Sequence, residues 1–336
     1  MNFGYSERCL DHDTGPRHPE SADRLRAIRK TMAARHGVEY VDAAAADRAT
    51  VERVHDPDYV DDLEAFCADG GGDWDLDTAA VEATWDAALQ SAGLAVWAAE
   101  RALGGDDGRD TPFSLGRPPG HHALVDDAMG FCFFNNVAVA AEDALAGDAD
   151  RVAIVDWDVH HGNGTSDIFY DRGDVFFASL HEDGLYPGTG QADEVGEGPG
   201  EGTTMNVPVP AGAGDVDYTT ALERLVVPAL GGFDPDLLLV SAGFDAHRHD
   251  PISRTRVSTE GYGYMAAQLR AVAEDVDAGL GFVLEGGYGL DTLSESVAKV
   301  HEVFDGYDPV APEGELESTM ATTIDRLADE HPALQD

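Results

Sequence analysis

The chain has 336 residues, 43% of them hydrophobic and 26% charged, a balance that suits a globular α/β chain and excludes a disordered one. Asp and Glu number 65 against 21 Lys and Arg, and the formal charge of −44 excludes a general phosphate-binding surface and docking on an anionic membrane. The acid is spread along the whole chain and only Lys30 and Lys299 are lysines, so the excess belongs to the entire surface. Such a surface repels itself in dilute buffer, whereas near molar salt the Debye length falls to about 3 Å. The charge therefore reads as adaptation to a salty cytosol.

In chain order, the sequence predicts a helix over 21–35, a loop at 69–77 and a helix over 80–103. A second loop follows at 104–111, then a strand at 113–115 and a helix over 134–146. Strands at 152–157 and 175–180 precede a long Gly- and Pro-rich loop at 184–203, of the length usually kept for function. A strand at 205–209, a helix over 216–230 and a strand at 237–242 come next. The chain continues with a helix over 259–277, starting at Thr259 and Glu260, a strand at 281–284 and a helix over 291–304. A helical extension fills 305–336. The apolar runs show little polar alternation, as strands of a parallel sheet buried on both faces do. No linker of domain-boundary type interrupts the alternation, so a single domain over 1–336 with an open, doubly wound α/β architecture is expected.

Cys9, Cys67 and Cys132 are widely spaced and no CxxC occurs, which argues against a disulfide framework or a thiolate zinc site. No apolar run approaches 18 residues and the first residues do not read as a signal peptide, so a cytoplasmic location is expected, with no membrane and no direct nucleic-acid partner. Despite the glycines there is no GxxxxGK[ST], which speaks against nucleotide binding.

Ligands of open parallel sheets bind beyond the carboxyl ends of the strands. Five such ends carry chemistry: GRPPGHHA at 116–123, DWDVHHGNG at 156–164, His181, FDAHRHD at 244–250 and EGGYG at 285–289. Asp156, Asp158 and His160 are spaced i, i+2, i+4, and an extended chain would project all three to one side. Asp and His pointing together make a divalent-metal edge, with Asp245 the best third ligand. Two carboxylates and one imidazole leave coordination positions open, the catalytic rather than the structural pattern. His121 and His122 suit a general acid/base pair, each needing an orienting partner; Asp156 could hold one and Asn163 the other. Tyr288, flanked by glycines, could donate to a developing oxyanion.

Together RPPGHHA (117–123), GFCFFNN (130–136), DWDVHHGNGT (156–165), YPGTG (186–190), SAGFDAH (241–247) and EGGY (285–288) resemble the histone deacetylase superfamily, which also contains acetylpolyamine amidohydrolases and acetoin-utilisation-type proteins. His18-Pro19-Glu20 followed by Arg24-Leu25 fits as well, and the match runs in order from about 16 to about 304. The HHGNG form is closer to the class II branch. The resemblance implies a three-layer arginase/deacetylase fold around an eight-stranded parallel sheet. It implies one zinc ion held by Asp158, His160 and Asp245. It implies His121 and His122 as the tandem pair, with His122 the general base and acid, and Tyr288 as the residue polarising the carbonyl. Phe131 and Tyr186 would line a narrow tunnel for an acetylated alkyl amine, Asp77 would grip substrate backbone at the rim, and a structural potassium ion is expected near Asp156, Asp158, His160, Ser179 and Leu180. The implied reaction is hydrolysis of an acetylated lysine in a protein, or of a small acylated amine.

Some residues depart from the pattern. Ile252 follows Asp250-Pro251 where polyamine-selective relatives carry Glu, which tilts the expectation toward acyl-lysine or a small acylated compound. Gly289 replaces a frequent Asn. A ureohydrolase of the same fold would use two manganese ions and a DxHxD pattern, but no Asp lies two residues past His160. A non-catalytic acyl-lysine binder would not need the full set of reactive residues.

Overall fold

The computed structural model describes residues 1–104 and 111–335. Residues 105–110 of the loop expected at 104–111 lie outside it, as does Asp336. Eight strands form one parallel sheet: β1 (Asn2–Gly4), β2 (Glu39–Val41), β5 (Pro112–Ser114), β6 (Val152–Asp156), β7 (Val175–Glu182), β8 (Thr204–Val209), β9 (Leu237–Ala242) and β10 (Gly279–Leu284). Their order across the sheet is β2-β1-β5-β10-β9-β6-β7-β8. A short antiparallel hairpin of β3 (Gly72–Asp73) and β4 (Ala79–Ala80) stands apart, inside the loop expected at 69–77.

Alternation along the central strands makes the three layers. Ala153 and Val155 of β6, with Leu238, Val240 and Ala242 of β9, enter one apolar core. Val152, Ile154, Leu237 and Leu239 enter the core on the opposite face. Every residue of β6, β7 and β9 is buried, which is why these runs lack polar alternation. On the first face pack α1 (Asp23–Met32), α7 (Asp215–Ala221), α8 (Val227–Phe233), α9 (Thr259–Asp275) and α10 (Leu290–Phe304). On the other lie α3 (Pro57–Ala68), α5 (Asn136–Ala146) and the alanine-rich α4 (Thr84–Leu103), whose small side chains let it lie close to α5 and the sheet. Short helices α2 (Arg48–Val51) and α6 (Asn163–Phe169) fill corners.

Several elements differ from the sequence reading. β1 and β2 are too short to show a period, and α2, α3 and α6 are not among the expected helices. A π-turn at Leu222–Val226 joins α7 to α8 and carries the helical path to Phe233. α9 starts at Thr259 as expected, and the residue before it, Ser258, is its cap: the Ser258 hydroxyl accepts from the N–H of Gly261. In the tail, regular helix is confined to α11 (Ser318–Glu330) and a 3-10 turn at Pro332–Leu334, so 305–317 is not helical. His331 lies beside β8, its Nε2 2.8 Å from the carbonyl of Thr204, so the tail covers that edge of the sheet. Among the described residues no helix is long and apolar enough to cross a membrane, and all three cysteines are buried and free.

Candidate active site

Parallel pairing puts the carboxyl ends of β5, β6, β7, β9 and β10 on one rim, so the five reactive segments converge there. β6 ends at Asp156, one correction to the extended-chain argument: Asp158 and His160 project from a turn beyond the strand. That turn is held by its own acids. Asp156 Oδ1 accepts from the N–H of Asp158 at 3.0 Å, and Asp158 Oδ1 from the N–H of His160 at 2.9 Å.

Asp158, His160 and Asp245 meet, with one ligand atom from each lying within 4.8 Å of the others, all buried. His160 Nδ1 stands 3.0 Å from Asp158 Oδ1 and 3.2 Å from Asp245 Oδ2. Each carboxylate is fixed from behind, Asp158 Oδ2 by the N–H of Gly286 at 2.8 Å and Asp245 Oδ1 by that of Val159 at 2.9 Å. Asp245 Oδ2 has no hydrogen-bond partner although it is buried. A buried carboxylate oxygen without a hydrogen bond is costly unless a cation faces it, either the protonated His160 ring at 3.2 Å or a metal ion. Burial opposes the charged form of His160, yet Asp158 and Asp245 outweigh it and lift its pKa to about 10. Burial, reinforced by Asp158, pushes Asp245 up to about 7. In the metal-free protein a proton thus stands where a divalent ion suits the donor set, one imidazole and two carboxylates.

The twin imidazoles face this edge, their ring centroids 4.0 Å apart. His121 Nδ1 lies 2.9 Å from Asp156 Oδ2, and His122 Nδ1 2.7 Å from Asn163 Oδ1. Asn163 Nδ2 is spent on the carbonyl of His122 and on Met129 Sδ, so its oxygen is the atom turned to His122. That orientation places the His122 proton on Nδ1 and leaves Nε2 as an acceptor. Burial opposes charge on His121, but Asp156 and Asp158 prevail and lift it to about 10. Burial, then the neighbouring His121 and His160, holds His122 well below the usual histidine range. In the metal-free protein the two rings are thus pushed in opposite directions, His121 up and His122 down.

Tyr288 follows β10. Its N–H and that of Gly289 both donate to Asp250 Oδ2, at 2.7 and 3.0 Å, and Asp250 Oδ1 accepts from the N–H of Ile252. Burial raises the Tyr288 phenol well above its ordinary pKa, so it remains a donor. Phe131 packs edge-on against Tyr288 (centroids 6.0 Å), while Tyr186 packs edge-on against His122 (5.1 Å) and near His160 (6.4 Å). Aromatic walls therefore stand on both the phenol side and the imidazole side. Phe131 has φ 71°, a left-handed conformation that bulky residues rarely adopt, and its N–H donates to Thr78 Oγ1. Asp77 lies in the hairpin loop near this wall, its carbonyl 3.0 Å from His18 Nε2, and the His18 ring packs edge-on against Phe131. In the register of β6 with β7, Asp156 sits opposite Ser179.

Sequence reasoning assigns no role to Thr78, and it shows Asp250 and Glu285 only as members of their motifs. Their roles are to anchor backbone, and a residue type alone does not reveal which distant N–H it will meet. Glu20, Arg24 and Arg117 form a fully buried ion cluster below the site, with Glu20 Oε1 2.6 Å from Arg117 Nε and 3.4 Å from Arg24 Nη1.

The family model described as Histone deacetylase domain matches residues 18–304. Histone deacetylase 14, chloroplastic, of Arabidopsis thaliana is 40% identical over 88% of this chain and 75% of its own length. The histone deacetylase-like amidohydrolase of Pseudomonas aeruginosa is 39% identical over 85% of this chain and 81% of its own. Among solved structures, the HDA15 HD domain superposes with a TM-score of 0.91 at 38% identity, covering 99% of this chain and 98% of that one. The acetylpolyamine aminohydrolase from Burkholderia pseudomallei does so with a TM-score of 0.82 at 29% identity, covering 91% and 99%.

Proposed function

The chain belongs to the histone deacetylase superfamily, and on that premise we propose that it removes acetyl groups from lysine side chains of proteins or from similar small acylated amines. It has the α/β fold of that family, with an eight-stranded parallel sheet, and the metal-binding triad of a metal-dependent hydrolase. The observation that carries the reading is the buried triad of Asp158, His160 and Asp245 beside two differently partnered imidazoles. We assign the metal-ligand roles to these three residues and name zinc as their ion. When bound there, a divalent ion supplies Lewis acidity toward a carbonyl and lowers the pKa of water at the site.

The chain's own residues do the rest. Phe131 and Tyr186 flank the acylated stem, and Ile252 adds an apolar contact near the entrance. Tyr288, held neutral, donates to the oxygen of the acetyl carbonyl as negative charge develops on it. His122 Nε2 takes the proton of the attacking water, because its Nδ1–H is committed to Asn163. The amide C–N bond then breaks, and the same proton passes from His122 to the leaving amine, giving the amine and acetic acid, whose remaining proton is lost to leave acetate and the protonated amine. His121, oriented by its hydrogen bond to Asp156, stands beside the reacting carbon and stabilises negative charge that develops there. Asp77 holds substrate backbone at the rim.

Finer assignments belong to the same proposal. The Asn163 form places the chain nearer class II. A structural potassium ion near Asp156, Asp158, His160, Ser179 and Leu180 belongs to the same proposal, and the neighbouring positions of Asp156 and Ser179 in the β6–β7 register support it. Three free cysteines suit a reducing, cytoplasmic setting, and the charge of −44 suits concentrated salt. We treat the chain as one deacetylase domain.

A second substrate reading, acetylated polyamines, draws on the likeness to the aminohydrolase from Burkholderia pseudomallei. Acetate release from acetyl-lysine peptides, acetylspermidine and acetylputrescine, measured in molar KCl with and without a chelator, separates the two. Turnover of the peptides that the chelator abolishes is expected; no release from any substrate by the zinc-loaded protein refutes the proposal.

A further inference from the structure

We propose that Glu285 is the positioning residue for the twin histidines, acting through their backbone, an inference that rests on the deacetylase reading of the site. Glu285 ends β10 and is fully buried. Its Oε2 accepts from the N–H of Gly120 at 2.7 Å and from that of His121 at 3.2 Å. A buried carboxylate that accepts from the N–H groups of two consecutive residues pins the two peptide units that carry them, here Pro119–Gly120 and Gly120–His121. The second of these units leads directly into His121, and His122 follows it by one residue.

The other side of the same loop is also held. The carbonyl of His121 accepts from the N–H groups of Gly164 and Thr165 in α6, at 3.1 and 3.2 Å. The His121 backbone is thus pinned between two elements, one accepting from it and one donating to it. The ring contacts to Asp156 and Asn163 choose tautomers, but they cannot by themselves set where Nε2 of His122 points. A ring turns about its Cα–Cβ bond, and the place of that bond is fixed by the backbone.

The segment that carries Glu285 also reaches the rest of the site. The next residue, Gly286, donates its N–H to Asp158 Oδ2, and two residues further Tyr288 is anchored on Asp250. Arg24 holds the segment from below by donating to the carbonyls of Glu285 and Gly287. Glu285 is the point where this strap grips the histidine loop. Its reach is the decisive quantity, since both acceptor contacts come from one oxygen. Its charge is secondary, because a neutral amide oxygen of the same reach could accept the same two N–H groups.

Reach and charge are separable by substitution. Glu285→Gln keeps the length and an acceptor oxygen and loses the charge. Glu285→Asp keeps the charge and is one methylene shorter. For zinc-loaded protein and an acetyl-lysine peptide, we expect Glu285→Asp to lower kcat about 100-fold with KM within about threefold of wild type, the scale of a 1 Å misplacement. We expect Glu285→Gln to stay within about tenfold of wild type. Amide hydrogen exchange over residues 116–123 gives a readout independent of turnover: faster in Glu285→Asp, close to wild type in Glu285→Gln. A Glu285→Asp variant with wild-type kcat and unchanged exchange would overturn the proposal, as would a folded Glu285→Gln variant no better than Glu285→Asp. If the wild-type protein itself releases no acetate, the deacetylase reading fails, and the exchange comparison still decides whether Glu285 holds the loop. Glu285→Asp and Glu285→Gln conserve either charge or volume, and thermal melts report whether each is folded before it is scored.

Discussion

Placing a methyl group at Gly243 should destroy metal binding while sparing the fold. A Cβ there would stand 2.5 Å from Asp158 Cγ and 2.6 Å from Asp158 Cβ. Carbon atoms in contact prefer about 3.5–4.0 Å, so Asp158 would have to retreat by about 1 Å. It has nowhere to go without cost, because its Oδ2 is held by the N–H of Gly286 and its Oδ1 by that of His160. Disturbing an outer partner of a metal ligand typically costs 10- to 100-fold in affinity. Here the ligand itself moves, so Gly243→Ala should weaken zinc by at least about 100-fold, or roughly 2.7 kcal/mol. The overpacking should destabilise the metal-free protein by about 1–3 kcal/mol. The assay is a competition titration of zinc-free protein against a chromophoric chelator, with thermal melts in parallel. Gly231→Ala is the control: nothing lies within 4 Å of its Cβ, and it should bind zinc as the wild type does. A folded Gly243→Ala protein that binds zinc within about threefold of wild type would refute the reasoning.

Further outcomes are expected. His122→Ala and Tyr288→Phe should each lower kcat by about 100-fold or more while zinc stoichiometry, measured by metal analysis, stays at that of wild type; near-full activity in either would remove that residue from the mechanism. Burial holds His55 neutral and lowers its pKa to about 4, against about 6.5 in the unfolded chain. Its contribution to stability is complete above pH 6.5 and is lost as pH falls through 4, so His55→Gln should take about 1 kcal/mol per pH unit out of the slope of unfolding free energy between pH 5 and 6. Urea titrations of both proteins across that range check this, and identical slopes would count against it. Raising KCl from 0.1 M to about 2 M shortens the Debye length from about 10 Å to under 3 Å. The melting temperature should therefore rise with KCl, and a flat or falling trend would show that surface repulsion does not limit this fold.

The amino-acid sequence determined the central layers and the chemistry of the rim. The runs of β6, β7 and β9 are apolar on both faces because both faces are covered, and that pattern is local enough to read directly. In the turn of Asp156 to His160 the residue types alone pointed to metal-type donors, while the extended-chain spacing did not hold because β6 ends at Asp156. The edge strands β1 and β2 were not legible, since three residues carry no period and are strands only because β5 and each other lie alongside. What the tertiary structure alone decided was which distant groups meet. Asp245 reaches Asp158 and His160 across more than 80 residues because β6 and β9 are neighbours in the sheet. The left-handed Phe131 is tolerated because surrounding contacts, including Thr78, hold it there. Glu285 meets the N–H groups of Gly120 and His121 only after β10 has docked. Residue type sets what a side chain can bond, a short-range property, whereas its partner is set by the packing of strands far apart in the chain.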